Sequence, residues 1–253
     1  MVITLGALLV GWIASVVVGI SKTAIPGAAL LVTPLVALVF DGRQIAGVAL
    51  PLLLMADVFA VRWYNSSARW DLLRPLVGWV GLGFVAGAGF FIVVGNGDRA
   101  LDVVIGTSIL VMVVVQVVRL IRRTRPAEPT TAAAAVYGSA GGFTTFVSNN
   151  AGPIMNTYLI RLGLDKAELV GTSAWFYFSV NLAKIPIYLL LGALSAGGSF
   201  FTRETLLFDL LCAPMIVVGV YTGRSLFHRV SQEVFLAVVL VLSALASVKL
   251  LLG

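Results

Sequence analysis

Three ionisable residues, Lys22, Asp57 and Lys184, lie within long apolar stretches of this sequence. A charge at membrane depth costs about 2.5–3.5 kcal/mol on insertion scales, so it is retained facing a cavity or a partner. Lys22 falls in a polar run broken by glycine and proline, Gly19-Ile20-Ser21-Lys22-Thr23-Ala24-Ile25-Pro26-Gly27. A second such run, Gly141-Gly142-Phe143-Thr144-Thr145-Phe146-Val147-Ser148-Asn149-Asn150-Ala151-Gly152-Pro153, holds the corresponding place in the second half. Neither contains a carboxylate. Each ends in a Gly/Pro pair suited to the first turn of a helix, where free N–H groups and the helix dipole attract negative charge. Cationic, hydroxyl and amide donors beside two helix starts describe an anion site. The expected ligands are Ser21, Lys22, Thr23 and Gly27 from the first run, and Ser148, Asn149, Asn150 and Gly152 from the second. The same residue types also suit ordinary capped turns between helices, with Lys22 snorkelling to the interface.

Asp57 lies deep in the apolar stretch 45–64, and Lys184 deep in 167–191 with Asn181 three residues before it on nearly the same face. Asp57, Asn181 and Lys184 form a second expected group, for proton coupling or gating. Asp57 could pair with either lysine, functionally or as a structural lock, and loss of one partner would then cost more than loss of both. Trp175, Phe176, Tyr177, Phe178 and Tyr188 are expected as packing or gating walls around this stripe.

These residues need a scaffold within lipid. Of 253 residues, 60% are hydrophobic and 11% charged, against roughly 25% charged in soluble domains. The expected fold is all-α, a polytopic transmembrane helical bundle. Segments at 2–20, 27–40, 45–64, 75–95, 100–121, 132–148, 153–162, 167–191, 205–226 and 233–252 give eight to ten membrane segments, the short 27–40 and 153–162 reading as half-helices or re-entrant pieces. Backbone that leaves a helix inside hydrocarbon persists only where protein surrounds it or a polar cavity receives it. A matched pair of such breaks marks a transporter's binding site. The first segment lacks a basic flank and leads straight into the first break, so it reads as a retained helix rather than a signal peptide.

The halves resemble each other. Residues 41–47 align with 165–171 at an offset of 124, which also lays Asp57 on Asn181, and Gly27 falls within a residue of Gly152. Pro75 and Pro214 are each expected to open a helix carrying a small-xxx-small pair, Gly83/Gly87 and Gly219/Gly223. The expected organisation is a first repeat over 1–121, a cytoplasmic linker over 122–131 and a second repeat over 132–253, the two inverted. Arginines cluster in the 62–74 loop, the linker and the 224–229 loop, which places all three on the cytoplasmic face and both termini outside.

Net charge +6 is scattered over short loops, so it points to membrane orientation and not to nucleic acid. The lone Cys212 excludes a disulfide framework, and no metal or cofactor motif is present. His228, the only histidine, sits among loop arginines, which leaves no nucleophile–base pair within the membrane. The chain reads as no enzyme and needs no cofactor.

The first run, the 41–47 segment and the 141–153 run resemble the sulfite exporter TauE/SafE family across essentially the whole chain. That resemblance implies an all-helical permease of two similar halves that moves sulfite or organosulfur anions such as thiosulfate or sulfonates across a bacterial inner membrane. Lys22 departs from the plainer glycine-rich first break of many members. The expected function is a secondary transporter exporting a small sulfur anion, with the lipid bilayer as its surroundings and a homo-oligomer compatible with the sequence. A passive anion channel and a non-transporting membrane scaffold remain as alternatives.

Overall fold

A computed structural model describes residues 3–24, 28–94, 98–121, 128–194, 198–226 and 232–252. The helices are α1 (Leu5–Thr23), α2 (Val32–Val36), α3 (Arg43–Tyr64), α4 (Trp70–Leu73), α5 (Val77–Val94), α6 (Asp98–Ile121), α7 (Thr131–Ser148), α8 (Gly152–Arg161), α9 (Lys166–Leu194), α10 (Arg203–Leu226) and α11 (Gln232–Leu252). There is no strand among the described residues. Six spans among them are long and apolar enough to cross a membrane: Leu5–Thr23, Arg43–Ser67, Trp70–Val94, Arg99–Val118, Lys166–Leu194 and Arg203–Ser225. Their outer faces are aliphatic, with Val93 86% and Leu194 76% exposed. A surface so continuously apolar belongs in lipid. The protein is an all-α, multi-pass membrane bundle.

Local sequence sets where helices begin and end. Thr4 caps α1 by accepting from the Ala7 N–H at 3.2 Å, and Thr130 caps α7 by accepting from the Ala133 N–H at 3.1 Å. At the far end of α7, Asn149 takes the left-handed conformation, φ 57°, a role asparagine tolerates better than other non-glycine residues. Thus α7 is helical through Ser148. The second break is confined to Asn149–Ala151, much narrower than the expected 141–153. The first break is shifted likewise, because α1 continues through Ser21 and Lys22 to Thr23. Gly27, one of the expected anion ligands, and Pro26 lie outside the described residues. The expected segment 27–40 is a 3-10 turn, Ala28–Leu31, followed by the five-residue α2 and a turn. Pro214 lies inside α10 and does not open it. Of the expected linker, residues 122–127 lie outside the described residues and α7 starts at Thr131.

Gly19 and Gly142, expected within the breaks, instead let helices touch, and Gly83 and Gly219, expected in small-residue pairs, do the same. In the α1–α10 crossing, Gly19 faces the backbone of Gly219 and Val220, and Gly219 faces that of Val16. In the α5–α7 crossing, Gly142 faces the Val80 backbone and Gly83 faces the backbone of Ser139 and Gly142. A methyl group at any of the four would overlap main chain that cannot swing aside. Small residues at such contacts are how lipid-embedded helices gain van der Waals packing without a hydrophobic drive between them. The other broad contacts are α3 with α9 and α6 with α11. Two tyrosines tie helix ends: the Tyr64 hydroxyl donates to the Thr23 carbonyl at 3.1 Å, and the Tyr188 hydroxyl donates to the Phe146 carbonyl.

Candidate functional site

The last turn of α1, the middle of α3 and the middle of α9 converge on one buried ion pair. Lys22 Nζ lies 2.7 Å from Asp57 Oδ1, with the aspartate side chain fully buried and the lysine side chain 8% exposed. Asn181 Nδ2 donates to Asp57 Oδ2 at 2.6 Å. The lysine ammonium also sits 4.2 Å above the centre of the Tyr177 ring, within cation–π range. A buried ion pair survives only when its remaining lone pairs and protons find partners, and Asn181 and Tyr177 supply them here. Asp57 therefore pairs with Lys22, one of the two partners expected for it.

Lys184, also fully buried on α9, is held differently. Its Nζ donates to the Thr145 carbonyl at 3.0 Å, to Thr145 Oγ1 at 3.2 Å and to Asn149 Oδ1. The other end of the Asn149 amide donates to the Ala46 carbonyl at 3.2 Å. The left-handed turn at Asn149 thus aims one amide at both α3 and α9.

Between the two clusters lies a small cavity, about 40 Å³ open to the centre of a water molecule. Its polar wall is made by Ser21, Lys22, Thr145, Asn149, Ser173 and Asn181, together with the backbone of Gly152. No carboxylate lines it among the described residues. Ser21 Oγ accepts from the Ala29 N–H at 2.8 Å, bridging α1 to the 3-10 turn across the first break. No side chain caps α8, so the N–H groups of its first turn have no intrahelical partner, and Gly152 presents that end to the cavity.

Residues 7–250 match the profile described as sulfite exporter TauE/SafE. The chain belongs to that family. No curated protein and no solved structure matches it. This TauE/SafE protein is accordingly a multi-pass membrane protein of a transporter family.

Of the residues expected from the sequence of this TauE/SafE chain, Ser21, Lys22, Asn149, Gly152 and Asn181 line the cavity. Asp57 and Lys184 stand directly behind its wall, each bonded to residues that line it. Thr23 and Ser148 do not line it. The Thr23 hydroxyl is turned onto the Gly19 carbonyl at 2.8 Å and lies 3.2 Å from the Val220 carbonyl, which joins α1 to α10. Ser148 Oγ donates back to the Thr144 carbonyl at 3.0 Å, while the Ser148 carbonyl accepts from Thr33 Oγ1 at 2.6 Å. Asn150 is buried with neither amide atom hydrogen-bonded, and it too is outside the cavity wall.

Two polar residues of the wall, Thr145 and Ser173, are not among the ligands expected from the sequence. Thr145 is one of three hydroxyl residues in the glycine-rich second run, and nothing in the sequence distinguishes it from the other two. Ser173 was detectable: Ser173, Tyr177, Asn181 and Lys184 recur at steps of four, four and three, one face of α9. Tyr177, expected only as a wall, is a direct cation contact for Lys22.

Proposed function

We propose that the protein is a secondary carrier that exports a small sulfur oxyanion, such as sulfite, thiosulfate or a sulfonate, across the bacterial inner membrane. The anion would occupy the cavity between the end of α1, the α7–α8 break and α9. The observation that carries this reading is the chemistry of the wall: hydroxyls, amide groups and an uncapped helix start beside a lysine whose charge Asp57 balances from behind, with no carboxylate in the wall itself. Preorganised donors of this kind bind oxyanions because they need no rearrangement to meet the charge. Sulfur oxyanions are preferred on family membership together with this wall. Thr23, Ser148 and Asn150, also proposed as ligands from sequence, are outside the cavity wall, and Gly27 lies outside the described residues.

Alternation would come from two inverted repeats, 1–121 and 132–253, rocking about this site. Several contacts support that reading. Each half's first helix packs against the α5-equivalent of the other half, α1 on α10 and α7 on α5. Asp57 and Asn181, 124 residues apart, bond to one another, as counterparts do at an approximate two-fold axis. Tyr64 and Tyr188, at the same offset, each cap a carbonyl near the end of their own half's first helix.

The test is flux into proteoliposomes containing the purified full chain, with labelled sulfite, thiosulfate, methanesulfonate, sulfate and chloride compared. Saturable movement of at least one sulfur oxyanion, above empty liposomes and above chloride, is expected. Ser173→Ala, which removes a cavity hydroxyl with no protein partner, should weaken apparent affinity by about threefold to tenfold, the worth of one neutral hydrogen bond. Movement of no oxyanion would end the carrier reading, and unsaturable flux that admits chloride equally would make the protein a channel.

A further inference from the structure

Lys184 differs from Lys22 in having, among the described residues, no carboxylate within ion-pair distance; its three partners are the Thr145 carbonyl, the Thr145 hydroxyl and Asn149 Oδ1. Two of these oxygens can only accept. The third, a hydroxyl, can accept or donate. When protonated, the lysine spends its three N–H bonds on three acceptors. When neutral, it gives two N–H bonds to the two carbonyl-type oxygens, and its lone pair takes the Thr145 O–H. Rotation of a single hydroxyl converts one arrangement into the other. Each of the three oxygens keeps a hydrogen bond to the lysine nitrogen in either state, so the change of state strands no acceptor of the cage. The Lys22 site is built the other way, with a carboxylate fixed 2.7 Å from the cation.

The charges facing Lys184 are few. Asp57 approaches from α3 and Lys22 from α1, both close enough to act on it electrostatically. On its own helix Asn181 lies one turn before, and Tyr188 one turn after with its hydroxyl committed to the Phe146 carbonyl. From α7 come only Thr145 and Asn149. Helix α5 has no charged residue, and Arg161, the only one on α8, reaches the Tyr137 hydroxyl. Lys22 and Asp57 cancel, so the cluster is neutral without a proton on Lys184 and carries one positive charge with it.

Thr145 and Asn149 are at once the cage of Lys184 and part of the cavity wall. One layer of side chain therefore separates an anion in the cavity from the lysine nitrogen. Charge in such a low-dielectric interior interacts strongly. An anion favours the ammonium, and by linkage the ammonium favours the anion to the same extent. We infer that Lys184 is the proton site of the carrier, loaded together with the anion and emptied together with it. The inference rests on the carrier reading above. In the loading step Thr145, which lines the cavity, passes its hydroxyl proton to the Nζ lone pair as its own O–H bond breaks, and a hydronium ion in the cavity gives Oγ1 a replacement proton and is left as water, so that the hydroxyl ends as an acceptor. Release reverses both. Lysine suits this task where arginine, which does not deprotonate in proteins, cannot serve.

Two assays on the same proteoliposomes separate this inference from the carrier reading. Anion–anion counterflow at equal pH needs no net proton movement, whereas net flux under a pH gradient does. With labelled thiosulfate, which carries no proton of its own near neutral pH, acid on the anion's side should speed wild-type net flux by about fivefold or more, the lower end of ordinary coupling. Lys184→Gln cannot take the proton and Lys184→Arg cannot release it. Counterflow should persist in both, more weakly in K184Q, and the response to the gradient should vanish in both. The same comparison with sulfite uses K184Q to subtract the substrate's own protonation. A gradient response retained by either variant overturns the inference. So does loss of counterflow in both, which would assign the lysine to anion binding or to packing. Wild-type counterflow without any gradient response sinks the proton site alone, while absence of both fluxes in the wild type sinks the carrier.

Discussion

The two buried lysines answer the same problem in opposite ways. Lys22 is neutralised by Asp57, and the pair is clamped by Asn181 and roofed by Tyr177. Lys184 is solvated by a main-chain carbonyl, a hydroxyl and an amide oxygen. A charge-paired lysine is fixed in its state by its partner, and removing that partner exposes an uncompensated charge. A lysine held by neutral dipoles depends on no single group and keeps its freedom to change state. On the proposed function, the difference separates an anchor from a group able to take part in a transport cycle.

Breaking the anchor should give the largest effect. Asp57→Ala leaves Lys22 buried without its counter-charge and should cost about 3–5 kcal/mol, read as a fall in thermal midpoint of the purified protein in detergent. The double variant Lys22→Met with Asp57→Leu should recover most of that loss; a double as unstable as the single would mean that Asp57 acts otherwise than by pairing. Asn181→Ala removes one hydrogen bond to a charged group, so a loss of about 1.5–3 kcal/mol is expected, and it should shrink sharply in the Lys22→Met, Asp57→Leu background. Lys184→Met frees no carboxylate, so its cost should be smaller than that of Asp57→Ala and near about 1–3 kcal/mol, from the acceptors it strands. A thermal loss equal to that of D57A would erase the contrast between the two lysines. Thr145→Val keeps the carbonyl and removes only the hydroxyl, and about 0.5–1.5 kcal/mol is expected in the same unfolding assay.

The helices, the membrane and the charges buried among the helices were readable from the sequence. Lys22, Asp57 and Lys184 announce themselves because charge in an apolar run has so few explanations. What escaped was where the helices stop. Gly19, Gly141 and Gly142 were expected to unwind the chain, yet Gly19 and Gly142 are helical and pressed onto the backbone of a neighbouring helix. A glycine spells the same letter whether it frees the backbone or admits another one, and only the partner helix decides which. Asn149, not a glycine, makes the left-handed turn of the second break. The fates of Thr23 and Ser148 were hidden for a related reason: a hydroxyl beside a break can serve a ligand or a carbonyl, and both found carbonyls.

The left-handed turn at Asn149 has a mechanical corollary. Its single amide holds α3 through the Ala46 carbonyl and α9 through Lys184, while its backbone terminates α7. Three helices are thereby riveted at one point only a few ångströms wide. If α7 tilts relative to the other two, one of the two grips must let go first, and whichever it is sets the order in which the bundle can unlatch.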